Sequence, residues 1–299
     1  MTIYEVTNLQ INHFEKPIII LAAPRSGSTL LFETMTNLPD VWTIGGESHA
    51  AIEHIPELST VFNGFHSNEL TQKHATQSNI ETLKKTFLQL LRNRDGKTLH
   101  SEAHKQIRFL EKTPKNTLRV SFLNKVFPDA YFIYLIRDPK DNISSIIDAW
   151  RSQRFRTYPN LPGFNGQWSL LLPPDWQSMQ GKSIAEIAAF QWQSCHDNTL
   201  RALGKISRER WTTINYADFI ASPEQELAKL ADFTQLSMDN RIRQVLQNAL
   251  PNSQYTLSQP KADKWLANKQ EIEMVLPSLQ STIDSINSAL HIDNNALIS

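Results

Sequence analysis

Pro17-Ile-Ile-Ile-Leu-Ala-Ala-Pro-Arg-Ser-Gly-Ser-Thr-Leu-Leu31 decides the fold, because a short unbroken apolar run passes through Pro24 into a small polar loop with an arginine at its head. Ile18 to Ala23 has the character of a central parallel strand covered on both faces. Arg25, Ser26, Gly27, Ser28 and Thr29 follow where a helix should begin, and Leu30 continues into it. A turn of this composition at a helix N-terminus offers free N–H groups, hydroxyls and the positive end of the helix dipole to an anion. The segment therefore reads as a phosphate cradle, the plain alternative being a strand-to-helix turn rich in small polar residues.

The cradle lacks the signature of a nucleoside-triphosphate loop. Aligning the second glycine of G-x-x-x-x-G-K-[ST] on Gly27 puts Ala22 at the first glycine and Ser28 at the lysine. A second strand, Tyr131-Phe-Ile-Tyr-Leu-Ile136, delivers Arg137, and Asp138-Pro139 then opens a helix carrying Ser144 and Ser145. Ligands in open α/β sheets sit beyond the carboxyl ends of the strands, so Arg25 and Arg137 share one crevice if their strands are neighbours. An arginine fork with a nearby hydroxyl suits a terminal phosphate. The alternative for Arg137 is a salt bridge to Asp138 or Asp141.

These two segments, in this order and spacing, resemble the sulfotransferases that use 3′-phosphoadenosine 5′-phosphosulfate (PAPS). The resemblance implies that Pro24-Arg25-Ser26-Gly27-Ser28-Thr29 binds the 5′-phosphosulfate and that Arg137 with Ser145 binds the 3′-phosphate. It extends to Arg210-Trp-Thr-Thr-Ile-Asn-Tyr-Ala-Asp-Phe219, where Tyr216 inherits a position near the adenine and Ala217 departs from the usual glutamate. Ser258-Gln-Pro-Lys-Ala-Asp-Lys-Trp265 is similar to the late basic loop over the nucleotide, which makes Lys261, Lys264 and Trp265 candidate contacts. The implied fold is α/β: a P-loop-like parallel sheet flanked by helices, with helical insertions and an acceptor-covering loop region, in one domain spanning residues 1–299.

The resemblance also supplies the proton acceptor. Gly45-Gly-Glu-Ser-His49 resembles the catalytic glutamate region of tyrosylprotein sulfotransferases, which makes Glu47 the expected base. His49 is its rival, since an imidazole titrates near neutral pH. Cytosolic relatives use a histidine in Lys-Thr-His-Leu-Pro; Glu111-Lys-Thr-Pro-Lys-Asn116 occupies that region here without one. Lys112 remains a source of positive charge beside the bridging oxygen. The expected reaction moves a sulfuryl group from PAPS to a hydroxyl, or an amine, of a small-molecule, lipid or glycan acceptor. The alternatives are a kinase with a degenerate cradle and a non-catalytic nucleotide-binding module.

Thirty basic and thirty acidic residues cancel, so no global field recruits nucleic acid or an anionic membrane. Cys195 is the only cysteine, which excludes an internal disulfide and fits a reducing, cytoplasmic setting. Met1 to Lys16 lacks the basic start and apolar centre of a signal peptide, and no run reaches spanning length. His49, Glu53 and His54 lack zinc-motif spacing, so no metal is expected. The dimer motif of cytosolic relatives is missing, which leaves the oligomeric state open.

Residues 42–108 read as a polar, mostly helical insertion with Leu83, Phe87, Leu90 and Leu91 at helical spacing. Residues 151–181 carry four prolines, three glycines and Phe155, Tyr158, Phe164, Trp168 and Trp176, too irregular for one element. They are the candidate acceptor wall or lid, the alternative being a loop packed by its own aromatics. Ile184, Ile187, Ala188, Trp192, Cys195, Thr199 and Leu203 mark one face of a long helix. Ser222-Pro-Glu-Gln225 reads as a proline-led helix start with a capping box, and Pro277 should break the last apolar seam.

Overall fold

The computed structural model describes residues 14–99, 106–247, 250, 257 and 263–292. Its strands are β1 (Ile18–Leu21), β2 (Val41–Thr43), β3 (Arg92–Asn93), β4 (Arg108–Lys112), β5 (Tyr131–Ile136), β6 (Arg156–Tyr158), β7 (Trp168–Ser169) and β8 (Trp211–Asn215). The main sheet runs β3-β2-β4-β1-β5-β8, and every pairing is parallel except that of edge strand β3 with β2. β6 and β7 form a separate antiparallel pair.

Alternation along β1 explains why it reads as wholly apolar. Ile18 and Ile20 enter the core on one face, with Leu31, Phe32 and Met35 of α1 (Ser28–Met35). Ile19 and Leu21 enter the larger core on the other face. That core holds the apolar residues of α2 (His49–Glu53), α3 (Gln77–Leu90), α4 (Val120–Val126), α5 (Pro139–Ser152) and α6 (Ile184–Leu203). A strand buried on both faces needs apolar side chains in both directions, so period-two patterning disappears. Cys195 is buried on α6, where the surrounding apolar shell pushes its thiol up to about 12.

Several boundaries differ from the sequence reading. The 42–108 segment begins inside β2 and ends as β4 starts, so its ends belong to the main sheet and only its interior is helix and loop. Leu90 is exposed on α3 while Leu88 is buried, because the helix turns its last residue outward before Leu91 re-enters the core. Ser222 and Pro223 open the next helix as expected, yet the serine side chain makes no capping bond and the box is not formed. Pro277 lies in a short 3₁₀ turn, Leu276–Leu279, between helices Lys269–Val275 and Gln280–Ile292. Proline cannot donate to the preceding turn, which explains the break. Among the described residues no helix is long and apolar enough to cross a membrane.

Candidate active site

β1 and β5 are adjacent and parallel, with Ile18 opposite Tyr131 and Leu21 opposite Tyr134. Their carboxyl ends therefore bring Arg25 and Arg137 to the same edge, and Arg137 Nη1 donates to the Arg25 carbonyl at 3.1 Å. Asp141, one helical turn along, lies 3.8 Å from Arg137 Nη2, a long ion pair. Burial raises the Asp141 carboxyl even against the arginine's charge, so this partner holds Arg137 weakly.

The cradle is bent twice into left-handed backbone, at Arg25 (φ 67) and Gly27 (φ 93). For a non-glycine residue this costs about 1–3 kcal/mol and is retained where the surroundings over-determine it. Gly27 has a second reason to be glycine: a Cβ there would lie 2.2 Å from Tyr216 Cε2. Gly27 is also the N-cap of α1, and no side chain caps the helix start. The first amides, from Ser28, Thr29 and Leu30, are left to meet an anion. Ser26 is buried and its hydroxyl donates to the Ala23 carbonyl.

Asn142 was not singled out by sequence reasoning. It is fully buried on α5, donates from Nδ2 to the Pro24 carbonyl at 2.8 Å and approaches Ser26 Oγ at 3.4 Å. One amide thus clasps the two motifs together. Its position five residues after Arg137 was the only available signal. Ser145 is half-buried on the same helix. Its neighbour Ser144 is buried, and its hydroxyl accepts from Asn268 Nδ2 at 2.9 Å. The Tyr216 ring lies against Gly27 and receives the Arg137 guanidinium 5.0 Å from its centroid, so it joins the two arginine-bearing turns.

The proposed base lies on the opposite flank. Lys112, last residue of β4, is buried and donates from Nζ to Glu47 Oε1 at 2.8 Å and to Thr29 Oγ1 at 3.1 Å. His49 Nδ1 stands 3.6 Å from Glu47 Oε2, beyond ordinary hydrogen-bond reach. Burial pushes the Glu47 carboxyl up, but the approach of His49 and the charge and hydrogen bond of Lys112 outweigh it and hold it down at about 2. The loop that carries Glu47 is pinned from below by Glu111, another residue without an assigned role. Its carboxylate accepts from Ser48 Oγ at 2.5 Å, from Thr113 Oγ1 at 2.7 Å and from Asn116 Nδ2. Ser48 N–H in turn donates to Thr113 Oγ1 at 2.7 Å. Burial raises the Glu111 carboxyl, opposed by the Ser48 and Thr113 hydrogen bonds.

Of the 151–181 aromatics, Tyr158, Trp168 and Trp176 are buried. Trp168 is fully buried and packs edge-on against Trp150, Phe164 and Trp176. Tyr158 is buried, its hydroxyl bonded by Asn68 Nδ2 at 2.6 Å and near Lys115 Nζ at 3.3 Å. Phe155 meets the cradle, with the Arg25 guanidinium 4.7 Å from its centroid. Of the late basic loop, Lys261 lies outside the described residues. Lys264 pairs with Asp148 at 3.5 Å and Trp265 receives Lys140 at 5.5 Å, so both rest on α5.

With the fold and this geometry in hand, comparison with known proteins identifies the class. The sulfotransferase family model matches residues 17–240, which include both arginine turns, Glu47, Lys112 and Tyr216, and the chain belongs to that family. A putative protein-tyrosine sulfotransferase of Caenorhabditis briggsae is 25% identical over 232 residues, 78% of this chain and 70% of the relative. A solved sulfotransferase from Alicyclobacillus acidocaldarius superposes with a TM-score of 0.54 at 13% identity, covering 94% of this chain and 97% of its own. One from Mycobacterium tuberculosis gives 0.52 at 16% identity, covering 90% and 79%. The protein is a sulfotransferase with a mostly parallel α/β sheet flanked by helices.

Proposed function

We propose that the chain transfers the sulfuryl group of PAPS to an acceptor hydroxyl, with Glu47 as the base. The observation that carries this reading is the double contact of Lys112. One ammonium reaches both the hydroxyl of the cradle and the carboxylate of the base, so donor and acceptor chemistry share a few ångströms. The 5′-phosphosulfate would lie on the first amides of α1 with Arg25, and the 3′-phosphate against Arg137 and Ser145. Charge grows on the leaving phosphate oxygen, and pre-oriented N–H groups with Arg25 and Lys112 stabilise it.

His49 and Lys112 together also set the timing. A carboxylate held at about 2 is a weak proton acceptor, since useful basicity lies nearer the working pH. A bound phosphosulfate competes for the ammonium and adds negative charge nearby, and both raise the basicity of Glu47. The acceptor proton then passes to Glu47 as the acceptor oxygen bonds to sulfur and the bond from sulfur to the phosphate oxygen breaks, leaving 3′-phosphoadenosine 5′-phosphate (PAP). No step requires a metal ion.

The acceptor is a hydroxyl of a small molecule, lipid or glycan. The likeness to a putative protein-tyrosine sulfotransferase adds a phenolic hydroxyl on a peptide to the classes worth testing. The decisive experiment titrates the protein with PAP in chelator, then incubates it with labelled PAPS and an acceptor panel. Nucleotide binding followed by transfer that Glu47→Gln abolishes is the expected result. Binding of ATP with Mg²⁺ in place of PAP would overturn it in favour of a kinase, and PAP binding without transfer to any extract would leave a binding module.

A further inference from the structure

The 3₁₀ turn Lys264–Asn268 is fastened along one face of α5 by a buried amide. Asn268 donates from Nδ2 to Ser144 Oγ at 2.9 Å and to Asp148 Oδ1 at 3.1 Å, and its Oδ1 accepts from Arg151 Nη1 at 2.6 Å. Arg151 also grips both carboxylate oxygens of Glu271, at 2.8 and 2.6 Å. The turn therefore has a fixed seat, and that seat delivers Lys264 Nζ to within 3.5 Å of Asp148 Oδ2. Both oxygens of Asp148 are engaged on the turn side. The seat matters because α5 also carries negative charge to the donor arginines. Asp148 attracts the Arg25 guanidinium, and Asp141 stands 3.8 Å from Arg137 Nη2. Lys264 acts on both carboxylates, pairing with Asp148 and favouring the ionised form of Asp141 against its burial.

We propose that Lys264 is a positioning residue for the donor nucleotide that acts through Asp148, balancing the α5 carboxylates so that a polyanion can lie between the two arginine turns. This rests on the reading of the cradle as a PAPS site. A nucleotide with phosphates at both ends meets repulsion from every carboxylate near its path, and that repulsion is felt across several ångströms. An ammonium seated behind the carboxylates cancels part of it without occupying the crevice. The buried Asn268 amide keeps Asp148 turned towards the ammonium and away from the incoming charge. A lysine that bound phosphate directly would help whatever charge Asp148 carried. A lysine acting through Asp148 matters only while that residue is a carboxylate.

The test is a double-mutant cycle read in PAP affinity at low and raised salt, with the thermal midpoint confirming that each variant folds. Lys264→Met, which keeps the apolar stem and removes the charge, should weaken PAP binding about three- to tenfold at low ionic strength. Lys264→Arg should bind as the wild type does. The loss should shrink as salt is added, because a through-space charge effect is screened. Asp148→Asn keeps an acceptor for Asn268, and in the Lys264→Met background it should restore most of the affinity. Undiminished binding in Lys264→Met would overturn the inference. So would a loss that persists with Asp148→Asn, which would make Lys264 a direct ligand, or a loss equal at every salt concentration, which would assign the pair to packing of the turn. Wild-type protein that binds no PAP would instead remove the donor reading on which the inference rests.

Discussion

Lys112 Nζ and Glu47 Oε1 are 2.8 Å apart across a separation of 65 residues, and the same ammonium touches Thr29 of the cradle. The pair joins the end of β4 to the loop after β2. Under the proposed roles one lysine touches both the cradle and the carboxylate, so removing each partner should fail differently.

Glu47→Gln keeps the shape of the side chain and its contact with Lys112 but removes the proposed proton acceptor. Transfer should fall by about 10²–10⁴-fold, the usual contribution of a positioned base, with PAP affinity nearly unchanged. Rapid-quench transfer and calorimetry together check this. Equal loss in both would mean that the loop had collapsed.

Arg137→Ala removes a guanidinium that links the Arg25 carbonyl and the Tyr216 ring. Loss of a charge-assisted bond to phosphate costs about 1.5–3 kcal/mol, so the PAP Kd should rise roughly ten- to hundredfold. A nucleotide lacking the 3′-phosphate should bind the variant and the wild type alike.

Gly27→Ala introduces a Cβ 2.2 Å from the Tyr216 ring, on backbone at φ 93. PAP binding should be lost or severely weakened, and the thermal midpoint should fall. Adding Tyr216→Ala relieves the collision but leaves the left-handed strain, so rescue of the midpoint should be partial.

The Glu47 carboxyl is held at about 2, below its ordinary 4.5. A depressed folded-state value means that its stabilising contribution is complete above about 4.5 and disappears as pH falls towards 2. The stability difference between wild type and Glu47→Gln should therefore be constant near neutrality and shrink through that window. Denaturant midpoints measured at a series of pH values will show it.

Glu111→Ala leaves the Ser48 and Thr113 hydroxyls and the Asn116 amide without their buried acceptor. Each stranded group costs about 1–3 kcal/mol unless it finds a new partner. A lowered unfolding midpoint with a lowered transfer rate is expected, and Glu111→Gln should recover part of the stability by keeping one acceptor oxygen.

How much of this was legible depended on whether the physics was local. β1 and β5 could be read because full burial on both faces demands unbroken apolar runs, and each run hands its arginine to the sheet edge. The three-residue β2 and the polar edge strand β3 were hidden in a segment read as helical, since strands that short leave no periodic signal. Glu47 and Lys112 were singled out separately, through resemblance, but their pairing depends on sheet order. The bond from the Ser26 hydroxyl to the Ala23 carbonyl could not be read, because a hydroxyl's direction is invisible in sequence. Phe155 and Trp168 looked equivalent in the 151–181 segment, although one faces the cradle and the other is entombed.

The Asn142 clasp reaches back 118 positions to the Pro24 carbonyl. A nascent chain emerging from the ribosome thus carries its phosphate loop long before it can close the pocket, which awaits the arrival and docking of β5 and α5. Under the proposed donor site, newly made molecules must complete a strand pairing distant in sequence before a nucleotide that spans both arginine turns can act as a stabilising guest.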